Sequence, residues 1–266
     1  MPSKGGISIK GIVLAGGTGT RLSPLTKVTN KHLLPVGKEP MIFNPIKQLI
    51  SAGINDILVV TSKEHMGEIV RMLGSGKELG CEFTFKVQEE AGGIAQALSL
   101  SENFVCMDSM IVILADNILT HSIKPHVEAY KKQLSRARVL LKKVGDPERF
   151  GVAALDEKKK MIIDIEEKPE NPKSSYAVIG VYMYDSSVFD IIRKIKPSRR
   201  GELEISDVNN EYVKQNQLTY GIVEGNWTDA GTFESFQYAN KLLFEINNEI
   251  QKEDEINIEG KHVDSI

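Results

Sequence analysis

The chain has 266 residues, of which 41% are hydrophobic and 26% charged, and its formal net charge at pH 7 is −3. These values are ordinary for a globular protein, and the length suffices for one large α/β domain or two small ones. A charge this close to neutral leaves no electrostatic footprint for nucleic acid or for a membrane surface. We therefore expect neither as a partner, and any site for a polyanion must be local.

The cysteines and the N-terminus bear on location. Cys81 and Cys106 are too few for a disulfide framework or a metal cluster. The first ten residues lack the apolar core of a signal peptide, and no apolar run approaches the length of a membrane span. A reducing, cytoplasmic setting is the simplest interpretation.

In the first half of the chain, short apolar runs alternate with helical patterns. Strands are predicted at Ile12–Ala15, Asp56–Thr61, Phe83–Val87 and Met110–Ala115, and helices at Met41–Ser51, Glu64–Leu73 and Ile94–Leu100. The almost continuous apolar run of the last strand is typical of a strand covered on both faces. The alternation predicts a parallel, doubly wound sheet.

After a helix predicted at Lys124–Leu134, the second half becomes richer in strands and more tolerant of antiparallel pairing. The strand-like runs are Val139–Val144, Val152–Leu155, Met161–Glu166, Ala177–Tyr184 and Leu218–Val223. Helical patterns lie at Ser187–Lys194 and Ile205–Gln215. A final helix is predicted with an apolar stripe formed by Phe233, Phe236, Leu243 and Ile246.

The most informative stretch follows the first predicted strand. It reads Gly16-Gly-Thr-Gly-Thr-Arg21 and continues into a basic segment with Lys27 and Lys31 that closes at Pro35. Three residues without a Cβ let backbone N–H groups face a polyanion, and the arginine adds a rigid fork of donors. The pattern indicates a triphosphate site at the carboxyl end of a strand, although an ordinary glycine-rich turn would contain the same glycines.

Two common glycine motifs are absent from this stretch. A Walker A loop needs a lysine directly after its last glycine, and none follows Gly19. A dinucleotide fingerprint that begins at Gly17 would need its third glycine where Leu22 stands. An NAD-dependent Rossmann-type dehydrogenase is therefore disfavoured.

Two aspartates are candidate ligands for a metal ion. Asp116 follows the run Met110–Ala115 directly, and α/β sheets bind ligands where their strands end. Asp229 lies in Trp227-Thr-Asp-Ala-Gly-Thr232, ahead of the final helix. Each could instead cap the helix that follows it. If the two carboxylates met, they could hold Mg²⁺ together with phosphate oxygens and water.

Other polar residues near strand ends are less specific. Gln88 offers a donor and an acceptor that would suit the edge of a pyrimidine, but an exposed glutamine is an equally good interpretation. Asn117 could contact a sugar hydroxyl. Glu166-Glu-Lys-Pro169 would, on its residues alone, be a solvated turn.

Leu14-Ala-Gly-Gly-Thr-Gly-Thr-Arg-Leu22, followed by Lys31-His-Leu-Leu-Pro35, resembles the signature of the sugar-1-phosphate nucleotidyltransferases. Within these, the chain looks most like the glucose-1-phosphate thymidylyltransferases, from about Lys10 to about Asn240. The resemblance implies an α/β fold with a Rossmann-like, doubly wound, mixed but mostly parallel sheet and a smaller mixed, sugar-binding part. We expect a single domain over residues 1–248, with a nucleotide-binding half at about 8–120 and a sugar-binding half at about 121–248. Residues 249–266 are expected to form an acidic, loosely ordered tail.

The resemblance also implies a reaction. A nucleotidyl group from dTTP or UTP is transferred to glucose 1-phosphate, which gives a nucleoside-diphosphate glucose and pyrophosphate, with Mg²⁺ as cofactor. The nucleophile is already an anion, so catalysis would rest on positioning and charge neutralisation. A place in dTDP-sugar and cell-surface polysaccharide biosynthesis and a homodimer or homotetramer are implied as well.

The implied site residues are carried over position by position. Arg21, Lys31 and Lys168 would be catalytic, on the leaving phosphates, the α-phosphate and the sugar phosphate, and Asp116 and Asp229 would hold the metal. The nucleotide would be bound by Leu14, Ala15, Gly16, Gly17, Thr18, Gly19, Thr20, Arg21, Gln88, Gly93 and Asp116. The sugar would be bound by Asn117, Gly151, Glu167, Lys168, Val178 and Gly180, with Arg200 as a weaker candidate for a phosphate contact.

The chain departs from the family pattern in two respects, and two alternative functions remain. His32 stands where many relatives have glutamine, and the chain ends before the C-terminal helices that help longer relatives form a regulatory nucleotide site. A uridylyltransferase that acts on another hexose 1-phosphate would fit the same motifs. So would a non-catalytic regulatory homologue, although the retained charged residues disfavour it.

Overall fold

The computed structural model describes residues 8–17 and 19–245. Its strands are β1 (Ile9–Ala15), β2 (Pro35–Val36), β3 (Glu39–Pro40), β4 (Asp56–Ser62), β5 (Glu82–Gln88), β6 (Ser109–Leu114), β7 (Asn117–Leu119), β8 (Ala137–Lys143), β9 (Gly151–Asp156), β10 (Met161–Glu167), β11 (Tyr176–Tyr184), β12 (Leu218–Ile222) and β13 (Trp227–Asp229). Its helices are α1 (Phe43–Ser51), α2 (Met66–Leu73), α3 (Ile94–Ser99), α4 (Glu102–Val105), α5 (Lys124–Lys132), α6 (Val188–Ile192), α7 (Ile205–Lys214) and α8 (residues 233–245).

One nine-stranded sheet runs through the described part of the chain. Its first strands lie in the order β5-β4-β1-β6 and are parallel, and β11 joins β6 in the antiparallel direction. Beyond β11 the sheet continues through the antiparallel pair β9–β10 and through β8, which pairs with β12 in parallel. The predicted α/β fold with a mixed, doubly wound sheet is confirmed.

The central strands explain the long apolar runs in the sequence. Val13 pairs with Val59 and Ile113 and faces the layer that includes α1, α2 and α5. Its neighbours Ile12 and Leu14 face the layer of α3, α6 and α7. Because successive side chains point to opposite faces and both faces are covered, every position in such a strand must be apolar. Each fully buried Val, Ile or Leu contributes about 1.5–3 kcal/mol to the free energy of unfolding.

The regular elements were predicted to within a few residues at each end, apart from the shortest ones. The unpredicted elements are β2, β3, β7, β13 and α4, none longer than four residues. Asp116 does not cap a helix, because the short strand β7 follows it. Asp229 does not cap α8 either, since it ends β13, and Thr232 Oγ1 accepts from the Ser235 N–H (3.2 Å) at the start of the helix.

The apolar face of α8 differs from the predicted stripe. Phe233 is 43% exposed and Leu242 is buried, whereas Ala239 is buried in a cluster against which Phe236 and Leu243 pack. This face covers Val36, Met41 and Ile118 from β2, the segment before α1, and β7. Phe233 opens the helix and turns away from that cluster. Ile246 and the predicted acidic tail at 249–266 lie outside the described residues, within which no helix has the length and apolar character needed to cross a bilayer.

Candidate active site

A cleft of about 380 Å³ opens where β1, β5 and β6 end, and it continues along β11 to the β9–β10 hairpin. It brings together most of the residues that the sequence singled out. Those that line it are Leu14, Gly16, Gly17, Arg21, Lys31, Gln88, Gly93, Asp116, Asn117, Gly151, Glu167, Lys168, Val178, Gly180, Arg200 and Asp229.

Three described positions of the predicted nucleotide loop do not line the cleft. Ala15 is fully buried in the core, and neither Gly19 nor Thr20 lines the cleft. Thr18 lies outside the described residues. Gly19 has a left-handed φ of 65°, and a Cβ there would lie 3.0 Å from Lys31 Cβ. The glycine thus lets the aliphatic stem of Lys31 pass beside the loop, which directs this lysine into the cleft.

The two candidate metal ligands meet because β7 and β13 pair. Asn117 is opposite Asp229 in this two-stranded ladder, and the Ala230 N–H donates to the Asp116 carbonyl at 2.7 Å. A Cβ at Gly231 would lie 3.3 Å from both Asp229 Oδ2 and Arg21 Nη2, and 3.5 Å from Asp116 Oδ2. Two carboxylates and one guanidinium, from three distant parts of the sequence, therefore surround one point.

Each carboxylate has its own cation. Lys31 Nζ lies 2.6 Å from Asp116 Oδ2, and both side chains are largely buried. Arg149 Nη2 lies 3.1 Å from Asp229 Oδ1, while its Nη1 is held by Asp146 Oδ2 at 2.7 Å. Sequence reasoning gave Arg149 no role, although it stands directly before the cleft residues Phe150 and Gly151. With Arg21, three cations face two anions, which leaves positive charge for a polyphosphate.

The pKa values of the two aspartates are shifted in opposite directions. Burial raises the pKa of Asp229 to about 6, and the nearby negative charge of Asp116 adds to this rise, which Arg149 opposes only in part. Burial acts on Asp116 too, but the Lys31 ammonium and the hydrogen bond from Asn117 together hold the pKa of that carboxyl far below its usual range. Asp116 is thus a permanent anion, and Asp229 is an anion that a further cation would stabilise.

The donor set fits a small divalent cation. Mg²⁺ is usually held by one or two carboxylates, with phosphate oxygens and water completing its octahedron. The two aspartates supply that number. Nowhere in residues 8–17 and 19–245 do three or more His, Cys, Asp or Glu side chains gather as a metal cage. A metal at this point would therefore complete its coordination with water or with the phosphate oxygens of a bound ligand.

At the other end of the cleft, Gln88 is fixed between a glycine and a second glutamine. It ends β5 and is 7% exposed. Its Nε2 donates to Gln96 Oε1 on α3 at 2.6 Å, and a Cβ at Gly16 would overlap its Oε1. Gly93 has a φ of 97°, and a Cβ there would lie 2.6 Å from the Leu203 carbonyl. The glycines thus allow Gln88 and the Leu203 backbone to approach the main chain closely beside the cleft.

The predicted sugar-binding residues line the cleft on β7, β9, β10 and β11. Asn117 is buried, its Oδ1 accepts from Trp227 Nε1 (2.7 Å) and from the Gly180 N–H (3.0 Å), and its Nδ2 donates to Asp116 Oδ1 (3.2 Å). The amide therefore ties β11 to β13 and orients the first aspartate. Its predicted contact with a sugar hydroxyl remains a prediction.

Lys168 and Arg200 bring positive charge to the same part of the cleft. Lys168 follows β10 with a left-handed φ of 46°, and its N–H donates to the Phe150 carbonyl at 2.9 Å. Arg200 forms a bidentate pair with the buried Glu204, in which Nη2 donates to Oε2 at 2.8 Å and Nε to Oε1 at 3.2 Å. Glu167 accepts from Ser206 Oγ at 2.5 Å. These positions stay predictions as substrate contacts.

His32 is buried next to Lys31. Its Nδ1 lies 2.9 Å from Asn30 Oδ1, which also accepts from the His32 backbone N–H at 2.8 Å. Burial and the Lys31 charge lower the pKa of His32 to about 3, so its imidazole is neutral at physiological pH. Its role is to brace the lysine segment, which a glutamine could also do.

Comparison with known proteins agrees with this geometry. The sequence matches the nucleotidyl transferase family model over residues 10–245. It is 41% identical over 243 residues to the glucose-1-phosphate thymidylyltransferase of Neisseria meningitidis, which covers 90% of this chain and 84% of the relative. The Mycobacterium tuberculosis enzyme of the same name is 38% identical, over 85% of this chain and 79% of its own.

The similar solved structures agree with the sequence relatives. A Bacillus anthracis protein assigned as a glucose-1-phosphate thymidylyltransferase, crystallised with a sucrose, superposes with a TM-score of 0.85 at 58% identity, over 89% of this chain and 96% of that one. A UDP-glucose pyrophosphorylase bound to UDP-glucose superposes with a TM-score of 0.79 at 25% identity, over 90% and 99%. The chain belongs to the nucleotidyl transferase family and is a nucleotidyltransferase.

Proposed function

We propose that the protein transfers the nucleotidyl group of dTTP to glucose 1-phosphate, with UTP as an alternative donor. The family implies a nucleoside triphosphate and a sugar phosphate as substrates. The names of relatives with about 40% identity support glucose 1-phosphate and the thymidylyl group. The likeness to a UDP-glucose pyrophosphorylase supports uridylyl transfer as the second candidate.

In the proposed reaction, an oxygen of the sugar phosphate attacks the α-phosphorus of the nucleotide in line. The bond between this phosphorus and the oxygen bridging to the β-phosphorus breaks, and pyrophosphate leaves with that electron pair. No general base is required because the attacking phosphate is already ionised. The barrier lies in bringing two anions together, so the protein's task is to position and neutralise them.

The charged residues divide this task by their place in the cleft. Arg21 would hold the leaving β- and γ-phosphates, Lys31 the α-phosphate region and Lys168 the incoming sugar phosphate. Asp116 and Asp229 would hold Mg²⁺, which when bound neutralises phosphoryl oxygens as a Lewis acid. The observation that carries the proposal is the convergence of Asp116, Asp229 and Arg21 beside Gly231.

The proposal extends to cellular context. A cytoplasmic homo-oligomer that supplies dTDP-sugars fits the unlinked cysteines Cys81 and Cys106 and the exposed aromatic residues Tyr238 and Phe244 on α8. Sedimentation of the purified protein would show a dimer or tetramer, and a monomer at micromolar concentration would contradict this part.

Pyrophosphate release in the presence of Mg²⁺ tests the function. Five nucleotides (dTTP, UTP, CTP, ATP and GTP) are crossed with the 1-phosphates of glucose, galactose and N-acetylglucosamine. We expect release with dTTP or UTP and glucose 1-phosphate. Release with another pair would correct the substrates, and no release from folded protein with any pair would favour a regulatory homologue.

A further inference from the structure

Arg200 is held by a carboxylate that lies behind the wall of the cleft. Arg200 lines the cleft, whereas Glu204, four residues on, does not and is only 8% exposed. Nε and Nη2 of the guanidinium both donate to the Glu204 carboxylate, which therefore occupies one edge of the guanidinium. Among the residues that the structure describes, none accepts a hydrogen bond from Arg200 Nη1. The edge that includes Nη1 is thus left for a ligand in the cleft.

The hydroxyl of Ser198 fixes the Glu204 carboxylate in turn. Ser198 Oγ donates to Glu204 Oε1 at 2.7 Å and accepts from the Arg200 backbone N–H at 3.2 Å. These roles cannot be exchanged, because an ionised carboxylate only accepts and a backbone N–H only donates. Glu204 also stands at the N-cap of α7, where the helix dipole stabilises a negative charge. The three residues form one network in which the direction of each hydrogen bond is determined.

The edge that remains free suits a phosphate group. A guanidinium binds a phosphate best when two parallel N–H groups of one edge meet two oxygens. Because an arginine side chain has several rotatable bonds, an unheld Arg200 would lose this freedom only when the ligand binds, which weakens binding. Glu204 restricts the side chain beforehand. The disadvantage is electrostatic, since the Glu204 charge offsets part of the positive charge that attracts the ligand.

Two further carboxylates lie near the same guanidinium without holding it. Glu202 Oε2 is 3.5 Å and Glu167 Oε1 is 3.8 Å from Arg200 Nη2, and neither contact is a hydrogen bond. Glu202 therefore adds negative charge beside the arginine and leaves its orientation free, whereas Glu204 adds charge and sets the orientation. The chain thus offers its own comparison between charge and positioning.

We propose that Glu204 is a positioning residue that orients Arg200 for the phosphate of the sugar substrate. This inference rests on the proposed function, in which a sugar 1-phosphate enters the cleft and Arg200 is a candidate for its phosphate. It gives a role to a buried carboxylate behind the cleft wall. It also predicts that removing a negative charge from this site weakens the binding of an anion.

Substitutions at position 204 separate orientation from charge. Glu204→Gln removes the charge and turns one acceptor into an amide nitrogen that faces the donors of Arg200. Glu204→Asp keeps the charge but is one methylene too short for the same bidentate pair. If Glu204 acted only through its charge, the first variant would bind the sugar phosphate more tightly and the second would resemble the wild type. Glu202→Gln removes a charge but no hydrogen bond to Arg200, and Glu234→Gln, at an exposed position on α8, is the matched control.

The readout is KM for glucose 1-phosphate at saturating dTTP, with KM for dTTP measured in the same variants. We expect KM for glucose 1-phosphate to rise about five- to tenfold in Glu204→Gln and in Glu204→Asp. Ser198→Ala, which loses only the hydrogen bond that holds the carboxylate, should raise it about two- to threefold. Glu202→Gln should leave it unchanged or lower it, and Glu234→Gln should change neither KM.

KM for dTTP reports a merely structural defect, because the residue before Glu204 is tied to the nucleotide end. The Leu203 N–H donates to the Gly92 carbonyl at 2.8 Å, and the Leu203 carbonyl accepts from the Ala95 N–H at 3.2 Å. A variant that only disorders this loop would therefore raise KM for dTTP as well. Thermal unfolding of each variant checks the fold.

Arg200→Met decides whether Glu204 acts through the arginine. In that background Glu204→Gln should change KM for glucose 1-phosphate by less than about twofold. An equal rise in both backgrounds, a parallel rise in KM for dTTP, or a lower KM for glucose 1-phosphate in Glu204→Gln would each overturn the positioning role. If Glu204→Gln does not fold, Ser198→Ala in the two backgrounds provides the same comparison.

The outcomes distinguish this inference from the function on which it rests. Folded wild type that releases pyrophosphate with no substrate pair overturns the proposed function, and the positioning role with it. Wild type that turns over glucose 1-phosphate, with an unchanged KM in Glu204→Gln and Glu204→Asp, overturns the positioning role alone.

Discussion

The two ends of the cleft are built in different ways. At the nucleotide end, Gln88 is the last residue of β5 and Gly16 directly follows β1, so each is placed by its own parallel strand. At the metal and sugar end, Asp229 reaches Asp116 only through the pairing of β7 with β13, and Arg149 reaches Asp229 from a third segment. The first end is a local motif, whereas the second depends on contacts between residues far apart in sequence.

The largest expected effect comes from Arg21, which the loop after β1 carries to the metal end. Arg21→Ala removes the guanidinium that faces the two carboxylates, so kcat should fall by about two to three decades while the fold is kept. Arg71→Ala, at an exposed position on α2, should have nearly wild-type kcat. Steady-state pyrophosphate release and thermal unfolding check both variants, and a loss of less than about threefold for Arg21→Ala would remove this residue from the mechanism.

Gly16→Ala tests how tightly the nucleotide end is packed. A Cβ would overlap Gln88 Oε1, which cannot retreat freely because its amide is tied to Gln96. We expect KM for the nucleotide to rise about tenfold, with a smaller effect on KM for the sugar phosphate. Gly145→Ala is the control, since a Cβ there has nothing within 4 Å. Equal KM values in both variants would show that the cleft does not bind the base beside Gly16.

Arg149→Met tests the assembled end. Arg149 competes with a metal for Asp229, so its removal should tighten the binding of Mn²⁺, used as a spectroscopic probe, by about three- to tenfold at pH 8. At that pH Asp229 is ionised in the wild type, because burial raises its pKa only to about 6. Loss of the Arg149 charge raises this pKa further, and pH 8 is chosen to stay above it. Weaker Mn²⁺ binding in the variant would mean that Arg149 serves to orient Asp229 rather than to compete for it.

The smallest effect on catalysis is expected for His32→Gln, but its effect on acid stability should be clear. Burial, together with the Lys31 charge, lowers the pKa of His32 to about 3, against 6.5 when unfolded, so the unfolded chain binds the extra proton between these values. Above pH 6.5 the titration of His32 takes nothing from the free energy of unfolding. Below that pH the free energy of unfolding decreases as the pH falls, because only the unfolded chain takes up the proton. Between pH 7 and 4.5 the wild type should lose about 2–3 kcal/mol more of its free energy of unfolding than the variant.

Denaturant titrations at the two pH values measure this difference. Identical losses in the two proteins would mean that His32 is not the buried neutral group described. Activity at pH 7.5 should be close to wild type in His32→Gln, because glutamine can also accept or donate beside Lys31.

The sequence predicted the sheet and the residues that follow its strands, but it did not predict the contacts that assemble the metal and sugar end. The alternation of apolar runs and helical patterns predicted the sheet, because strands covered on both faces must be apolar throughout. Asp116 could be placed at a strand end because Met110–Ala115 is unmistakably a strand. The position of Asp229 could not be derived, since three-residue strands such as β7 and β13 carry no periodicity. It was implied only by the family resemblance.

Other features were missed for physical reasons too. Arg149 carries no local signal, because its importance comes from an ion pair with a residue far along the chain. Phe233 was assigned to the buried stripe of α8 because spacing alone does not show where the covered face begins. Gln96 stands in a short helix whose sequence does not reveal that its side chain turns back to β5.

A double-mutant cycle on Asp116 and Asp229 tests the central claim most directly, namely that the two carboxylates hold one metal ion for nucleotidyl transfer. The rates of Mg²⁺-dependent pyrophosphate release are compared for Asp116→Asn, Asp229→Asn and the double variant, with folding checked by thermal unfolding. We predict that each single change costs about two to three decades in kcat and that the double variant is little slower than either, because both changes remove the same bound ion. Fully additive losses, or near wild-type turnover in Asp229→Asn, would contradict the account.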